Sequence, residues 1–338
     1  MSEYEDRPSP PPGGIPLDLA FGRKQLTSIF DGRVALDPAG QRIAYQVHTP
    51  PDASALGGAR FLPSGVPQNV LGQRIHLTTV TGEQPVPIGP AGANSWHASW
   101  SPDGRMLAFY CDEVGYPQLW LHEIATGQSR PVADVAVKAK LWIGDEPQWL
   151  PGGDAVVVPL ATLDTAADAE KPTASGEAGP KVRVLRSRDD ADETGEPGSA
   201  VELNDHFMRE NNAAIAAIDL RDGTVRVLAP ADSTPPPSVV QVSPSGRWIS
   251  YLSVFLQDEK TSSPTAESFH DLAVVQTAGG PVRVIDRQIA KSAFPPGYYL
   301  EGYRWHPTED RLVWLKNGQL WTADLDEEPG TPRQLASG

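Results

Sequence analysis

Short apolar segments alternate with tight turns along most of this chain. The clearest case runs from the apolar segment Ala98–Trp100 through Ser101-Pro102-Asp103-Gly104 to a second apolar segment, Met106–Tyr110. Proline presets the first angle of such a turn, and Asp-Gly tolerates the partly left-handed backbone that follows. The pattern therefore predicts two antiparallel strands joined by a hairpin turn. Sustained helical spacing is hard to find, and the best helical candidate is the short segment Asn204 to Asn212.

A second hairpin follows the first. The apolar segment Gln118–Ile124 leads into the turn Ala125-Thr126-Gly127-Gln128, and Ser129–Val132 follows as a last strand. Four strands within about 40 residues are typical of one blade of a β-propeller.

The same design recurs along the chain, which makes it a repeat. Each copy has an apolar strand, a turn with proline at its second position, and another apolar strand. The turns are Asp37-Pro38-Ala39-Gly40, Ser101-Pro102-Asp103-Gly104, Leu150-Pro151-Gly152-Gly153, Ser243-Pro244-Ser245-Gly246 and His306-Pro307-Thr308-Glu309. We predict an all-β fold, a β-propeller of four-stranded antiparallel blades, of which about five are recognisable. The alternative is an irregular β-sandwich with proline-rich turns.

Composition divides the chain into one large domain and several polar segments. We predict an extended or disordered N-terminal arm over residues 1–25 and a propeller over residues 26–338. Two insertions interrupt the repeats, at about 162–200 and 257–267, and both contain few large apolar side chains. Such segments bury too little apolar surface to offset the entropy of ordering.

Charge and cysteine content exclude several classes of function. The net charge of −15 disfavours nucleic acid and anionic membranes, since both require clustered Lys and Arg. Cys111 is the only cysteine, and no Cys/His cluster has zinc spacing. The acidic N-terminus does not resemble a secretory signal, and no apolar run is long enough to span a membrane. We therefore expect a cytoplasmic protein without a metal or cofactor.

The repeat resembles the PD40 (WD40-like, TolB-type) motif, through Trp100-Ser101-Pro102-Asp103-Gly104 followed by Leu107-Ala108-Phe109. From about residue 18, where Leu17-Asp18-Leu19-Ala20-Phe21 precedes the first blade, the chain is similar to the N-terminal propeller of the prolyl oligopeptidase (S9) family, especially dipeptidyl-aminopeptidase-like members. This resemblance implies a propeller that filters peptides for a hydrolase domain with a Ser-Asp-His triad. No Gly-x-Ser-x-Gly nucleophile elbow occurs in the chain, so no catalytic residue is carried over.

The resemblance also implies seven or eight blades, whereas the repeats number about five. Either the chain is a truncated or divided version of a larger protein, which we expect, or it is a small closed propeller. In the first case it is the non-catalytic gate of an S9 peptidase whose hydrolase domain or subunit lies elsewhere. In the second it is a stand-alone TolB-like propeller that binds a peptide or protein, with its last blade completed by the N-terminal strand. A propeller lyase or glycosidase is a third class, and no pattern here singles out its acids or metal ligands.

Acidic pairs in loops are the candidate ligand-facing groups. They are Asp112-Glu113 and Asp145-Glu146, and the segment Asp205–Asn211 adds Arg209 and Glu210. Paired carboxylates suit Ca²⁺; the S9 resemblance implies instead that such groups bind the α-amine of a peptide by charge-assisted hydrogen bonds. Solvated turn residues and an ordinary connecting helix are the alternatives. His97 starts a blade, so it either lines the central opening or is satisfied by backbone groups.

Overall fold

A computed structural model describes most of the repeat region of the chain. The described residues are 25–26, 34–49, 64–67, 70–138, 146–161, 212–231, 237–256, 268–292, 302–326 and 330–337. Their regular structure is β-strand, arranged in five antiparallel sheets that follow one another along the chain. Within these ranges no helix has the length and hydropathy needed to cross a bilayer.

Each sheet is one blade made of consecutive strands. Blade 1 contains β1 (Gln25–Leu26), β2 (Ala35–Leu36), β3 (Arg42–His48), β4 (Gln73–Thr79) and β5 (Val86–Pro87). Blade 2 contains β6 (Ser95–Trp100), β7 (Met106–Cys111), β8 (Gln118–Glu123) and β9 (Gln128–Pro131). Blade 3 contains β10 (Gln148–Trp149), β11 (Ala155–Leu160), β12 (Ala214–Asp219) and β13 (Val225–Ala229). Blade 4 contains β14 (Pro237–Val242), β15 (Trp248–Leu256), β16 (Ser268–Gln276) and β17 (Arg283–Ser292). Blade 5 contains β18 (Tyr303–Trp305), β19 (Arg311–Lys316), β20 (Gln319–Asp324) and β21 (Arg333–Ser337).

The first strand of each blade is the inner strand. In blade 1 this strand is divided, because β1 and β2 both pair with the same edge of β3. Inner strands of neighbouring blades contact one another, from β2 to β6, β6 to β10 and β10 to β14. This is the arrangement of strands around the axis of a propeller, and it confirms the predicted fold class.

The predicted hairpin turns connect the first and second strands of the blades. Gly40, Gly104, Gly153 and Gly246 all have positive φ there, between 68° and 74°. A left-handed backbone is accessible to glycine without steric cost, which explains the residue at this point of the repeat. Blade 5 has Glu309 at the same position, and its turn contains no residue of positive φ.

Apolar clusters fill the junctions between consecutive blades. The junction of blades 1 and 2 includes Ala44, Ile75, Leu107 and Phe109. The next junction includes Ala108, Tyr110, Val156 and Val158. Blades 3 and 4 meet through Val157, Ala217, Ile249 and Tyr251, and blades 4 and 5 through Leu252, Leu272, Leu312 and Trp314. Tryptophans at repeat positions, such as Trp100, Trp120, Trp248 and Trp305, lie in or against these clusters.

One prediction attached to the stand-alone reading is wrong. That reading has the N-terminal strand completing the last blade, but the four strands of blade 5 are consecutive and β1 belongs to blade 1. The predicted insertions at 162–200 and 257–267 and the N-terminal arm, except for Gln25 in β1, lie outside the described residues. The same holds for the helical candidate at residues 204–211.

Candidate functional site

The two ends of the blades are built differently. Turns between first and second strands, and between third and fourth strands, lie at one end, which we call the turn end. The remaining connections lie at the opposite end, which we call the connection end. Its described parts include 70–72, 88–94, 112–117, 132–138, 146–147 and 317–318. Loops carried by a rigid scaffold commonly bind ligands.

Two of the predicted ligand-facing residues belong to connections of this end. Glu113 lies between β7 and β8, and Glu146 lies just before β10. Arg209 and Glu210 lie outside the described residues, and so does Asp145. Glu113 and Glu146, the two candidates that the structure describes, therefore both lie at the connection end.

The repeat register aligns Glu146 with His97. Each residue lies five positions before the turn proline of its blade, Pro151 and Pro102 respectively. The two positions therefore correspond in the repeat of neighbouring blades: His97 lies in β6, and Glu146 lies two residues before β10. Val239 and Gly302 occupy this position in blades 4 and 5.

His97 is held by an unusual backbone. Its φ is 54°, and the pairing of β6 with β7 shifts register between Trp96 and Ser99, which is a β-bulge. The backbone N–H of His97 donates to Gln46 Oε1 at 2.8 Å. Val239, at the same repeat position, also has a positive φ of 52°, so the bulge recurs in the repeat and is not peculiar to the histidine.

A buried amide pair supports this bulge from blade 1. Gln46 Nε2 donates to Gln73 Oε1 at 2.6 Å, and both side chains are almost fully buried. Gln46 occupies the position of Tyr110 in the repeat, and the ring of Tyr110 lies 6.1 Å from the His97 ring. We did not single out this pair from the sequence, although a glutamine at an otherwise apolar inward position of β3 is a usable signal.

Glu146 lies at a junction between two inner strands. It is half-buried, and its carbonyl oxygen accepts a hydrogen bond from Gln148 Nε2 at 3.0 Å. The carbonyl of the next residue, Pro147, accepts one from Ser99 Oγ at 2.6 Å. The hydrogen bond from Ser99 joins blade 2 to blade 3 directly beside Glu146.

Glu113 has a different environment. Its side chain is exposed in the connection between β7 and β8. The neighbouring Asp112 binds Asn94 through the backbone N–H at 2.7 Å and the side-chain amide at 2.6 Å. The oxygen of that amide accepts from the Gly72 N–H at 2.6 Å. Asp112 thus ties blade 2 to blade 1, whereas Glu113 matches the solvated-turn alternative.

Other reactive groups do not add to this site. Burial raises the pKa of the Cys111 thiol to about 12, which disfavours its nucleophilic thiolate form. Burial lowers the pKa of His270 to about 4, so this histidine is neutral at pH 7. Within the described ranges no group of three or more His, Cys, Asp or Glu side chains is placed to hold a metal ion.

Comparison with known proteins identifies similar folds. No family model matches the chain, and no curated protein matches it. A TolB-type protein from Agrobacterium tumefaciens is 14% identical, with a TM-score of 0.44, over 91% of this chain and 81% of that chain. An oligogalacturonate lyase from Vibrio parahaemolyticus is 11% identical, with a TM-score of 0.48, over 92% of this chain and 68% of that chain.

An acylaminoacyl peptidase from Pyrococcus horikoshii is similar over 92% of this chain, with 11% identity and a TM-score of 0.45. The match covers 39% of the peptidase, so this chain spans well under half of its length. At these identities the likeness concerns the fold alone. TolB-type propellers and S9 peptidase propeller domains are both among the structures that this chain resembles.

Proposed function

We propose that this chain is the non-catalytic propeller of an S9-type serine peptidase. It binds peptide segments at the connection end and thereby controls which substrates reach a hydrolase domain or subunit. The supporting observation is that His97 in β6 and Glu146, just before β10, take the same position in the repeat of neighbouring blades. The cytoplasmic location expected from the sequence belongs to the same proposal, and localisation of a tagged chain tests it.

The chemistry of the two side chains suits the N-terminus of a peptide. A carboxylate accepts charge-assisted hydrogen bonds from an α-ammonium group, and an imidazole can donate to a peptide carbonyl. Glu146 is half-buried, and a lower local dielectric strengthens such a hydrogen bond relative to one in open water. The net charge of −15 also favours a cationic ligand end over an anionic one.

Peptide binding tests the role of Glu146. Peptides labelled at the C-terminus, with either a free or an acetylated N-terminus, are titrated with the protein and followed by fluorescence anisotropy. We expect the free N-terminus to bind about tenfold more tightly, a difference of about 1.4 kcal/mol. Glu146→Gln should remove that difference.

Glu113→Gln is the matched control, because it removes the same charge from the connection end of the neighbouring blade 2, at an exposed position. It should keep the preference for the free N-terminus. Equal binding of both peptides by the unmodified chain, or an equal loss in both variants, would contradict the proposal.

Activity measurements test the non-catalytic part. The chain alone should not hydrolyse aminoacyl or peptidyl chromogenic substrates, and hydrolysis that a serine-directed inhibitor blocks would refute this. The stand-alone TolB-like reading predicts binding of a folded protein partner without dependence on a free N-terminus. The two peptide titrations therefore also separate these two functions.

A further inference from the structure

The alternation of side chains along each second strand assigns one face to each neighbouring blade. In β7 of blade 2, Leu107 and Phe109 pack towards blade 1, whereas Ala108 and Tyr110 pack towards blade 3. The same alternation holds in β15, where Ile249 packs towards blade 3 and Leu252 towards blade 5. Counting from the turn proline therefore tells which blade a side chain of any second strand faces.

In blade 5 this count defines a face directed away from blade 4. Val313 and Leu315 of β19 lie on it, and Leu320 of β20 pairs directly with Leu315. We call these three residues the blade-5 end face. Leu315 occupies the repeat position of Tyr110 and Leu252, which are both 0% exposed, yet Leu315 itself is 61% exposed.

In blade 1 the count defines the opposite face. Leu36, Ile43 and Tyr45 lie where Trp100, Leu107 and Phe109 lie in blade 2, on the side directed at a preceding blade. We call these three residues the blade-1 end face. Leu107 and Phe109 are 0% exposed, whereas Ile43 and Tyr45 are half-buried and Leu36 is 54% exposed.

The two end faces are the complementary halves of an interface that the chain already makes four times. Apolar clusters fill the four junctions between consecutive blades, and none of the described residues joins blade 5 to blade 1 through such a cluster. The turn residues match as well. At the first three junctions the turn proline of one blade lies against the turn glycine of the next blade. Blade 5 has such a proline, Pro307, and blade 1 has such a glycine, Gly40. A Cβ on Gly40 would meet only Leu36, at 3.9 Å.

We infer that the blade-5 end face of one copy packs on the blade-1 end face of a second copy, head to tail. A second copy is the occupant for which the chain supplies both halves of the contact. The contact between the two end faces would be of the same kind as the contacts between consecutive blades, in which apolar side chains of one sheet bury those of the next. Contacts of this heterologous kind produce closed rings or open chains of copies, depending on the rotation between them.

Light scattering after size exclusion tests the association over a concentration series. The unmodified chain should reach at least twice the mass of one chain as concentration rises, and Leu315→Asp should stay at one chain mass. Val227→Asp is the matched control, because Val227 is 50% exposed on β13 of blade 3 and not on an end face. It should associate as the unmodified chain does, and circular dichroism should show that both variants are folded.

Cysteine pairing identifies which surfaces meet. Leu36→Cys and Leu315→Cys are made separately; the native Cys111 is buried and contributes little background. Under mild oxidation, a mixture of the two variants should give a cross-linked product of twice the chain mass, and each variant alone should give much less. A variant that carries both Leu36→Cys and Leu315→Cys tests whether the two end faces of one chain meet each other.

Three outcomes overturn the inference. They are a single chain mass at every concentration, an association that Leu315→Asp leaves unchanged, and a cross-link within the double variant that leaves the mass at one chain. The last would show instead that blade 5 packs on blade 1 of its own chain.

Discussion

The junctions among the first three blades and the junction of the last two blades use different chemistry at the same place in the repeat. Between blades 1 and 2, Trp100 Nε1 donates to the Ala35 carbonyl at 2.9 Å, and between blades 2 and 3, Trp149 Nε1 donates to the Ser99 carbonyl at 3.2 Å. In blade 4 the equivalent residue is Val242, which has no donor. The indole link therefore ends after blade 3.

The contact between the hairpin turns of neighbouring blades also changes, but at blade 5 and not at blade 4. A Cβ placed on Gly104, Gly153 or Gly246 would lie 3.4, 3.9 or 2.7 Å from the ring of the proline in the preceding turn. In blade 5 glycine is replaced by Glu309, and the next residue, Asp310, takes over the contact.

The carboxylate of Asp310 binds the turn of blade 4 directly. It is 2% exposed and accepts hydrogen bonds from the Ser245 backbone N–H at 3.1 Å, from Ser245 Oγ and from Arg247 at 3.0 Å. Nearer the connection end of the same junction, the buried hydroxyl of Tyr303 donates to the Val239 carbonyl. The apolar blade interface therefore sets the position of each blade, while the polar link beside it differs from one junction to another.

The largest expected effect is at the last junction. Asp310→Asn replaces a buried carboxylate that accepts several hydrogen bonds with an amide that points N–H groups at N–H donors. We expect the free energy of unfolding to fall by about 3 kcal/mol, since hydrogen bonds to charged groups contribute about 1.5–3 kcal/mol. Urea denaturation measures it.

Asp326→Asn is the control for that substitution, because Asp326 also pairs with Arg247 but is half exposed. It should cost less than about 0.5 kcal/mol, as exposed ion pairs do. A loss as large as that of Asp310→Asn would mean that the arginine pairing, and not the buried carboxylate, holds the junction.

A middle effect is expected at the turn contact of blades 3 and 4. Gly246→Ala places a Cβ 2.7 Å from Pro151 Cδ and strains a φ of +74°. Gly127→Ala has a similar φ of +68° with nothing within 4 Å. We expect a loss of about 1 kcal/mol for Gly127→Ala from backbone strain and about 2–3 kcal/mol for Gly246→Ala, because crowding adds to strain. Thermal denaturation of both variants measures the difference. Equal losses of stability would show that crowding between Gly246 and Pro151 adds nothing to the backbone strain.

The smallest effect is expected at the indole link. Trp149→Phe removes the hydrogen bond to Ser99 together with part of the ring, and should cost about 1 kcal/mol more than Trp305→Phe. Trp305 is the matched control, because it lies two residues before the turn proline of blade 5 and its buried Nε1 has no hydrogen-bond partner among the described residues. Equal losses in chemical denaturation would assign the stability to ring packing alone.

Much of the fold could be predicted because the turns and strands of each repeat follow local backbone preferences, which the residue types reveal. The prolines and glycines of the turns, from Pro38-Ala39-Gly40 onwards, mark hairpins whose backbone angles only a few residues adopt. The continuous apolar run Met106–Tyr110 is typical of a strand with both faces buried, as β7 has. That strand ends at Cys111, which is buried at the last position of β7.

The candidate site could be predicted only in part. Glu113 and Glu146 read alike in sequence, as the second members of acidic pairs in loops, but the structure leaves the first exposed and half-buries the second between two inner strands. Gln46 and Gln73 join across strands that are far apart in sequence, and the contact supports a bulge that composition does not reveal. Arg209 and Glu210 stay predictions.

The sequence by itself determined the class of fold, the number of recognisable blades and the place of each turn, since these depend on local backbone preferences and on apolar period. Only the tertiary structure decided which polar links join the blades, that Glu146 is half-buried while Glu113 is exposed, and that Leu36 and Leu315 stay exposed. Those features depend on contacts between strands of different blades. Such contacts follow from how successive sheets pack, which no single segment of the chain encodes.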